Sequence, residues 1–149
     1  MLTKKGKYGL KALIHLSRLP AEELAFVGDI AAANKIPKKF LDAILGELRN
    51  AGFVLSRKGK DGGYRLAKSA SAIKVGHVIR VLDGPLAPIA CASLSRYERC
   101  EDCDEATCQV RHMMLEVRQA MADVLDKRSL AAMRDADNDD VGPRIREIR

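Results

Sequence analysis

The sequence predicts a mainly α-helical protein with one small β-hairpin. Three observations predict it. Apolar residues recur at helical spacing through most of the chain, while strand-type runs of Val, Ile and Tyr are few. One short apolar run, Phe53–Arg57, is followed by a glycine-rich turn and Tyr64-Arg65-Leu66, which reads as two strands around a turn. The segment from Glu105 to Lys127 then continues without Gly or Pro, long enough for one extended helix.

Each element follows in order. Lys4 to Leu19 forms a first helix with a broad apolar face (Leu10, Leu13, Ile14, Leu16), stopped by Pro20. A second helix spans Val27–Asn34. Its small residues Ala31 and Ala33 beside Ile30 allow a close crossing. Lys35-Ile36 make a tight turn, and Pro37 suits the first position of a third helix, Pro37–Asn50. Phe40, Leu41, Ile44, Leu45 and Leu48 give that helix its apolar stripe, and Ala51-Gly52 close it. Two short helices joined by a tight turn are a helix-turn-helix, and a hairpin directly after one is a wing. Asp61-Gly62 marks the hairpin turn.

Val75, Val78, Ile79 and Leu82 lie on one face of a connector helix, ended by Asp83-Gly84-Pro85, with Leu86–Ala90 extended. All four cysteines fall in Cys91–Cys108, at spacing C-x8-C-x2-C-x4-C. Asp104 and Glu105 suit the cap and first turn of the long helix. Cys108 then stands near its N-terminus, where the dipole favours a thiolate. On that helix Val110, Met114, Val117, Met121 and Val124 form a heptad-like seam, the mark of a dimerisation helix. The organisation is therefore a winged helix-turn-helix over 1–68, a connector over 69–90, a cysteine loop over 91–108, a dimerisation helix with a short last helix over 109–133, and a flexible tail over 134–149.

Charge points to the partner. The net charge is +6, and residues 1–68 carry 14 Lys/Arg against 6 Asp/Glu while the remainder is slightly acidic. A basic half built as a helix-turn-helix fits double-stranded DNA. Lys38 and Lys39 start the second helix of the pair and reach phosphates or guanine edges. Phe40 is placed for the core or a thymine methyl. Arg57, Lys58, Lys60 and Arg65 supply the wing with charge for the backbone or minor groove. A reader of this kind binds two-fold, pseudo-palindromic operators as a homodimer.

Several classes are disfavoured. No apolar run approaches the length of a membrane span, and MLTKKGKYGL lacks the apolar stretch of a signal peptide, so the expected location is cytoplasmic. Cysteines in a reducing compartment are metal ligands or reactive thiols rather than permanent disulfides. Cys91, Cys100, Cys103 and Cys108 suffice for a tetrahedral metal site, as zinc or an iron–sulfur cluster would use, and thiol/disulfide switching is the other chemistry they offer. A thioredoxin-like enzyme would need Cys100 and Cys103 after a strand in a βαβ unit, and here prolines and an acidic loop precede them. Nothing else looks catalytic. His15 and His77 read as packed or surface residues, and His112 as surface or a substitute ligand.

The residues resemble the Rrf2 family of small bacterial winged-helix transcription factors, over about Met1–Asp126. The carriers are Lys5-Gly6-Lys7-Tyr8, Asp29-Ile30-Ala31 with Ile36-Pro37, Leu48-Arg49 through Gly52, Gly62-Gly63-Tyr64-Arg65-Leu66, and Val75-Gly76-His77-Val78-Ile79. The cysteine loop and long helix complete the ordered set. The resemblance implies a homodimeric regulator, a repressor, with a loop that holds an iron–sulfur cluster of the 2Fe–2S or 4Fe–4S type. Cys91 falls where the family's first cysteine does. Cluster-holding relatives show evenly spaced cysteines with a further ligand from His, Asp or Glu, whereas this chain has four cysteines and a C-x2-C pair.

Overall fold

The computed structural model describes residues 2–136. The expected tail from residue 137 onward lies outside the described residues. Helix α1 is Lys4–Ser17, α2 Val27–Asn34 and α3 Lys38–Asn50. Strands β1, Val54–Arg57, and β2, Gly63–Leu66, follow. Helix α4 is Val75–Asp83, α5 Gln109–Leu125 and α6 Leu130–Asp135. Single 3-10 turns sit at Ala70–Ala72 and Ala90–Ala92.

Local chemistry sets the boundaries. The Thr3 hydroxyl caps α1 by accepting from the Gly6 N–H. The helix ends at Ser17, two residues before the expected Leu19, because the Arg18 N–H closes back on the His15 carbonyl and the Leu19 N–H on the Leu16 carbonyl, each at 3.2 Å. Lys35 adopts φ 55°, ψ 45°, a left-handed conformation rare for a residue with a side chain, and this single residue makes the turn between α2 and α3. Pro37 is the N-cap of α3 rather than its first helical residue, with φ −58° and ψ 124°. The last turn of α3 gives way to Gly52 at φ +84°.

The hairpin pairs Val54 with Leu66, Leu55 with Arg65, Ser56 with Tyr64 and Arg57 with Gly63. A third extended residue, Ala25, joins its edge through Ala25 N–H to Tyr64 O (2.9 Å) and Tyr64 N–H to Ala25 O (2.8 Å). Gly63, at φ +140°, is required there, since a Cβ would stand 2.5 Å from the Ala25 carbonyl oxygen. The wing is thereby stitched to the segment that enters α2.

One aliphatic core holds these elements together. Leu13 of α1, Ile30 of α2, Leu41, Ile44, Leu45 and Leu48 of α3, Val54 of β1, Ile73 and Val78 are all but fully buried. Helix α4 lies close on α1 because Gly9 leaves room for Leu82: a Cβ there would meet Leu82 Cδ1 at 2.2 Å. Asp83 then ties the start of α1, accepting from Thr3 N–H at 2.9 Å.

The chain leaves this body after α4, runs through the cysteine loop and α5, and returns. Leu130 of α6 is fully buried in the N-terminal core, and its N–H donates to the Ile73 carbonyl at 2.8 Å. Replacing such a buried leucine by alanine costs about 2–5 kcal/mol, so α6 belongs to the reader's core despite its place in the sequence. By contrast, α5 contains no buried residue over its 17 positions. Among the described residues no helix is long and apolar enough to cross a membrane.

Candidate functional site: a basic reader face and a cysteine loop

Helix α3 buries Leu41, Ile44, Leu45 and Leu48, so its opposite face is open. Lys38, Lys39, Asp42, Ala43, Arg49 and Asn50 are exposed. Lys38 makes a long contact with Asp42, 3.5 Å and four residues on. Phe40 is 43 % exposed and rests edge-on against Tyr8 of α1, with ring centroids 5.7 Å apart. It therefore sits on the α1 side of the helix and not in the core. On that same side Lys5 reaches Glu47 at 2.7 Å.

The wing supplies Arg57, Lys58 and Lys60, all exposed. Arg57 and Lys58 border a groove of about 260 Å³ together with Arg49, Phe26, Val27 and Tyr64. That lining contains no carboxylate among the described residues, which leaves an unneutralised positive strip between α3 and the wing. Arg49 was marked in the sequence only as part of the family-like run Leu48–Gly52, not as a cation of the reader face. Its role follows only from the hairpin folding back beside the end of α3. Arg65 differs from the other wing cations: it is half-buried and paired with Glu22 at 3.2 Å.

In the cysteine loop the four thiols are not equivalent. Cys91 is buried, 7 % exposed, on the Ala90–Ala92 turn. Cys100 and Cys103 are half-buried, and their Sγ atoms and a carboxylate oxygen of Asp102 all lie within 4.8 Å of one another. The Cys100 thiol donates to Asp102 Oδ1 at 2.6 Å. The neighbouring Cys100 sulfur, then desolvation and the Cys108 sulfur, push the Cys103 thiol up to about 12. Cys108 moves the other way: the Arg111 backbone N–H and then the Cys103 thiol stabilise its thiolate and lower it from the ordinary 9.0.

Helix α5 starts at Gln109, four residues later than Glu105. Asp104 caps only a local turn, accepting from Ala106 N–H at 3.1 Å. The true N-cap is Cys108, whose Sγ accepts from Arg111 N–H at 3.4 Å. Glu105 folds back instead. Its carboxylate accepts from the Tyr97 hydroxyl and from the Cys100 N–H at 2.8 Å, and these bonds lower its pKa. Two arginines two turns apart fasten α5 to the Cys91 turn: Arg111 Nε donates to Cys91 O and Arg118 Nη1 to Ala92 O, each at 3.0 Å. Asp102, Arg111 and Arg118 were silent in the sequence because loop acids and helix arginines ordinarily face solvent, and Glu105 was marked only as a first-turn acid of the long helix.

The exposed apolar stripe of α5 is Val110, Met113, Val117, Ala120 and Val124, while Met114 and Met121 are half-buried. Of the residues expected to form a dimer seam, Val110, Val117 and Val124 are exposed, and Met114 and Met121 are half-buried. Thiolates select transition metals, so the loop's donors suit either zinc or iron chemistry.

Three comparisons place this arrangement among known proteins. A family model described as "Rrf2: Iron-dependent Transcriptional regulator" matches residues 2–136. An Rrf2-like helix-turn-helix transcriptional regulator of Rhodobacter capsulatus is 39 % identical over 142 residues, covering 93 % of this chain and 95 % of that one. The structure of CymR, the global cysteine regulator of Bacillus subtilis, superposes with TM-score 0.74 at 34 % identity, over 90 % of this chain and 95 % of that chain. IscR of T. potens does so with TM-score 0.73 at 28 % identity, over 96 % and 93 %.

Proposed function

Since the chain belongs to the Rrf2 family of transcriptional regulators, we propose that it is a homodimeric, cytoplasmic DNA-binding regulator, a repressor, whose operator affinity follows the state of the Cys91–Cys108 loop. One observation carries this reading. Cys108 is at once a member of the thiol group and the N-cap of α5, the helix that has no buried residue of its own. A change at the sulfurs is a change at the first turn of α5. If α5 pairs with its copy through the exposed stripe, that change alters the spacing of two α3 helices on DNA.

On DNA, the open face of α3 enters the major groove. Lys38 and Lys39 meet phosphates or base edges, while Arg57, Lys58 and Lys60 hold the flanking backbone or minor groove. Phe40 offers an apolar edge beside Tyr8. Arg65 contributes less because Glu22 already partners it. The family likeness brings an iron–sulfur cluster as the group the loop would hold, with the loop cysteines as its ligands. Bound there, it would supply a redox- and iron-dependent charge at the foot of α5.

The test is selection of binding sites from random duplexes by the purified full-length chain. Recovered inverted repeats, with half-sites about one helical turn apart, are the expected outcome. Recovery of no common sequence, with affinity set by length alone, would remove the operator reading.

A further inference from the structure

A hollow of about 360 Å³ lies where the loop after α1, the base of the wing and α6 meet. It shares no residue with the open face of α3 or with the cysteine loop. Its volume is at the small end of ligand pockets, about 300–1,000 Å³. Leu19 and Leu66, half-buried against the core, and the buried Ala70 give it apolar walls.

The charges around it are of both signs. Glu22 pairs with Arg65 at 3.2 Å. Arg134 is engaged by Asp135 at 2.8 Å and by the Ser17 carbonyl at 3.3 Å. Glu23 and Lys68 are left over. Both border the hollow and both are exposed, and neither has an ion-pair partner among the described residues. Lys68 rests its ammonium 5.4 Å from the centre of the Phe53 ring, a contact that leaves its charge unneutralised. An open carboxylate and an open ammonium beside apolar walls complement a ligand with one charge of each sign and an apolar body.

The backbone at the rim is strained. Glu22 stands at φ 69°, a conformation that residues with side chains rarely adopt. Among the described residues only Lys35 shares that feature, and Lys35 makes the turn of the helix-turn-helix. Such strain persists where the surrounding structure holds it, and it gathers at ligand sites. Here the strained residue carries the carboxylate that grips the wing through Arg65.

We propose that this hollow is an effector site for a small zwitterion, an α-amino acid with an apolar side chain. Its ammonium meets Glu23, its carboxylate meets Lys68, and its side chain lies on Leu19 and Leu66. A ligand there touches the wing through the segment that follows β2, and touches α6 through Arg134. Helix α6 follows α5 after a short turn, so the hollow gives the reader an input separate from the cysteine loop. Its effect on operator affinity rests on the reading of the chain as a DNA-binding regulator; binding of the amino acid does not.

Isothermal titration calorimetry of the full-length chain with L-leucine, L-valine, L-methionine and L-phenylalanine, each separately, tests the proposal. At least one is expected to bind at a single site per chain with a dissociation constant below about 1 mM. The analogues of that amino acid lacking the amino group or the carboxylate should each bind at least about tenfold more weakly, because a hydrogen bond to a charged group is lost. Glu23→Gln and Lys68→Met should each weaken binding by about the same factor. Both residues are exposed, and an unchanged melting temperature shows that the fold is kept. If none of the four amino acids binds, or if binding survives both substitutions, the site is overturned. An analogue with one charge that binds as tightly as the amino acid overturns the zwitterion assignment. Fluorescence anisotropy with the selected operator separates the two readings. Amino-acid binding that shifts operator affinity supports the effector role, and binding that leaves operator affinity unchanged overturns that role. Failure to select any operator removes the regulator reading and leaves the site standing.

Discussion

Arg80 on α4 clasps Asp126, one residue beyond α5, through two parallel hydrogen bonds: Nη1 to Oδ1 at 2.5 Å and Nη2 to Oδ2 at 2.9 Å. Gly76 makes the space, since a Cβ there would stand 2.0 Å from Asp126 Oδ1. The two arginine contacts to the Ala90–Ala92 turn hold the other end of α5. A helix without a buried residue is thus held to the rest of the chain by polar contacts, and its apolar stripe is exposed.

The Arg80 hydrogen bonds lower the Asp126 carboxyl below its ordinary 3.8. A carboxyl depressed in the folded state stabilises above its unfolded value and loses that contribution as pH falls through the folded one. Both side chains are about one-third exposed, so the pair contributes at most about 1 kcal/mol. Asp126→Asn should therefore lower the melting temperature at pH 7. The difference from the parent should shrink once the pH drops below about 3.8. Melting curves from pH 7 to pH 2.5 check this; a constant difference across that range contradicts the assignment.

The stripe on α5 makes a prediction about register. Val117→Glu, on the exposed face, should give a monomer by light scattering with an unchanged melting profile at low concentration. Operator affinity should fall on the order of a hundredfold, since each half-site is then bound alone. Met121→Glu, on the half-buried side, should instead lower the melting temperature. Equal effects of the two on assembly would mean the seam is not the exposed stripe.

The wing cations separate by their partners. Lys58→Ala and Arg57→Ala should each reduce the slope of log affinity against log salt by about 0.9, one phosphate contact apiece. Arg49→Ala should do the same, because Arg49 borders the same groove. Arg65→Ala should change the slope little, its charge being answered by Glu22 at 3.2 Å. Fluorescence anisotropy at several salt concentrations measures all four.

Much of the fold was readable because its signals are local. The 3.6-residue spacing of Leu41, Ile44, Leu45 and Leu48 and the glycine turn of the hairpin fix their elements without long-range help. The start of α5 was misjudged for a physical reason. Asp104 and Glu105 are the residues helices prefer at their start, but Glu105 is drawn off by Tyr97 and the Cys100 N–H, and the cap passes to Cys108. Along α5 the spacing of Val110, Met113, Met114 and Val117 leaves two stripes open, and burial divides them: Met113 is exposed and Met114 half-buried. The return of Leu130 into the N-terminal core and the pairing of Arg65 with Glu22 are contacts between distant residues, for which spacing carries no signal.

The central claim is that the thiol group at the foot of α5 governs DNA binding. The most direct measurement is operator affinity of the same preparation, metal-loaded and metal-free under anaerobic conditions, at one fixed salt concentration. The two affinities should differ by at least about tenfold, a coupling of roughly 1.4 kcal/mol, and Cys108→Ala should abolish the difference. Identical affinities for the loaded and metal-free protein would contradict it.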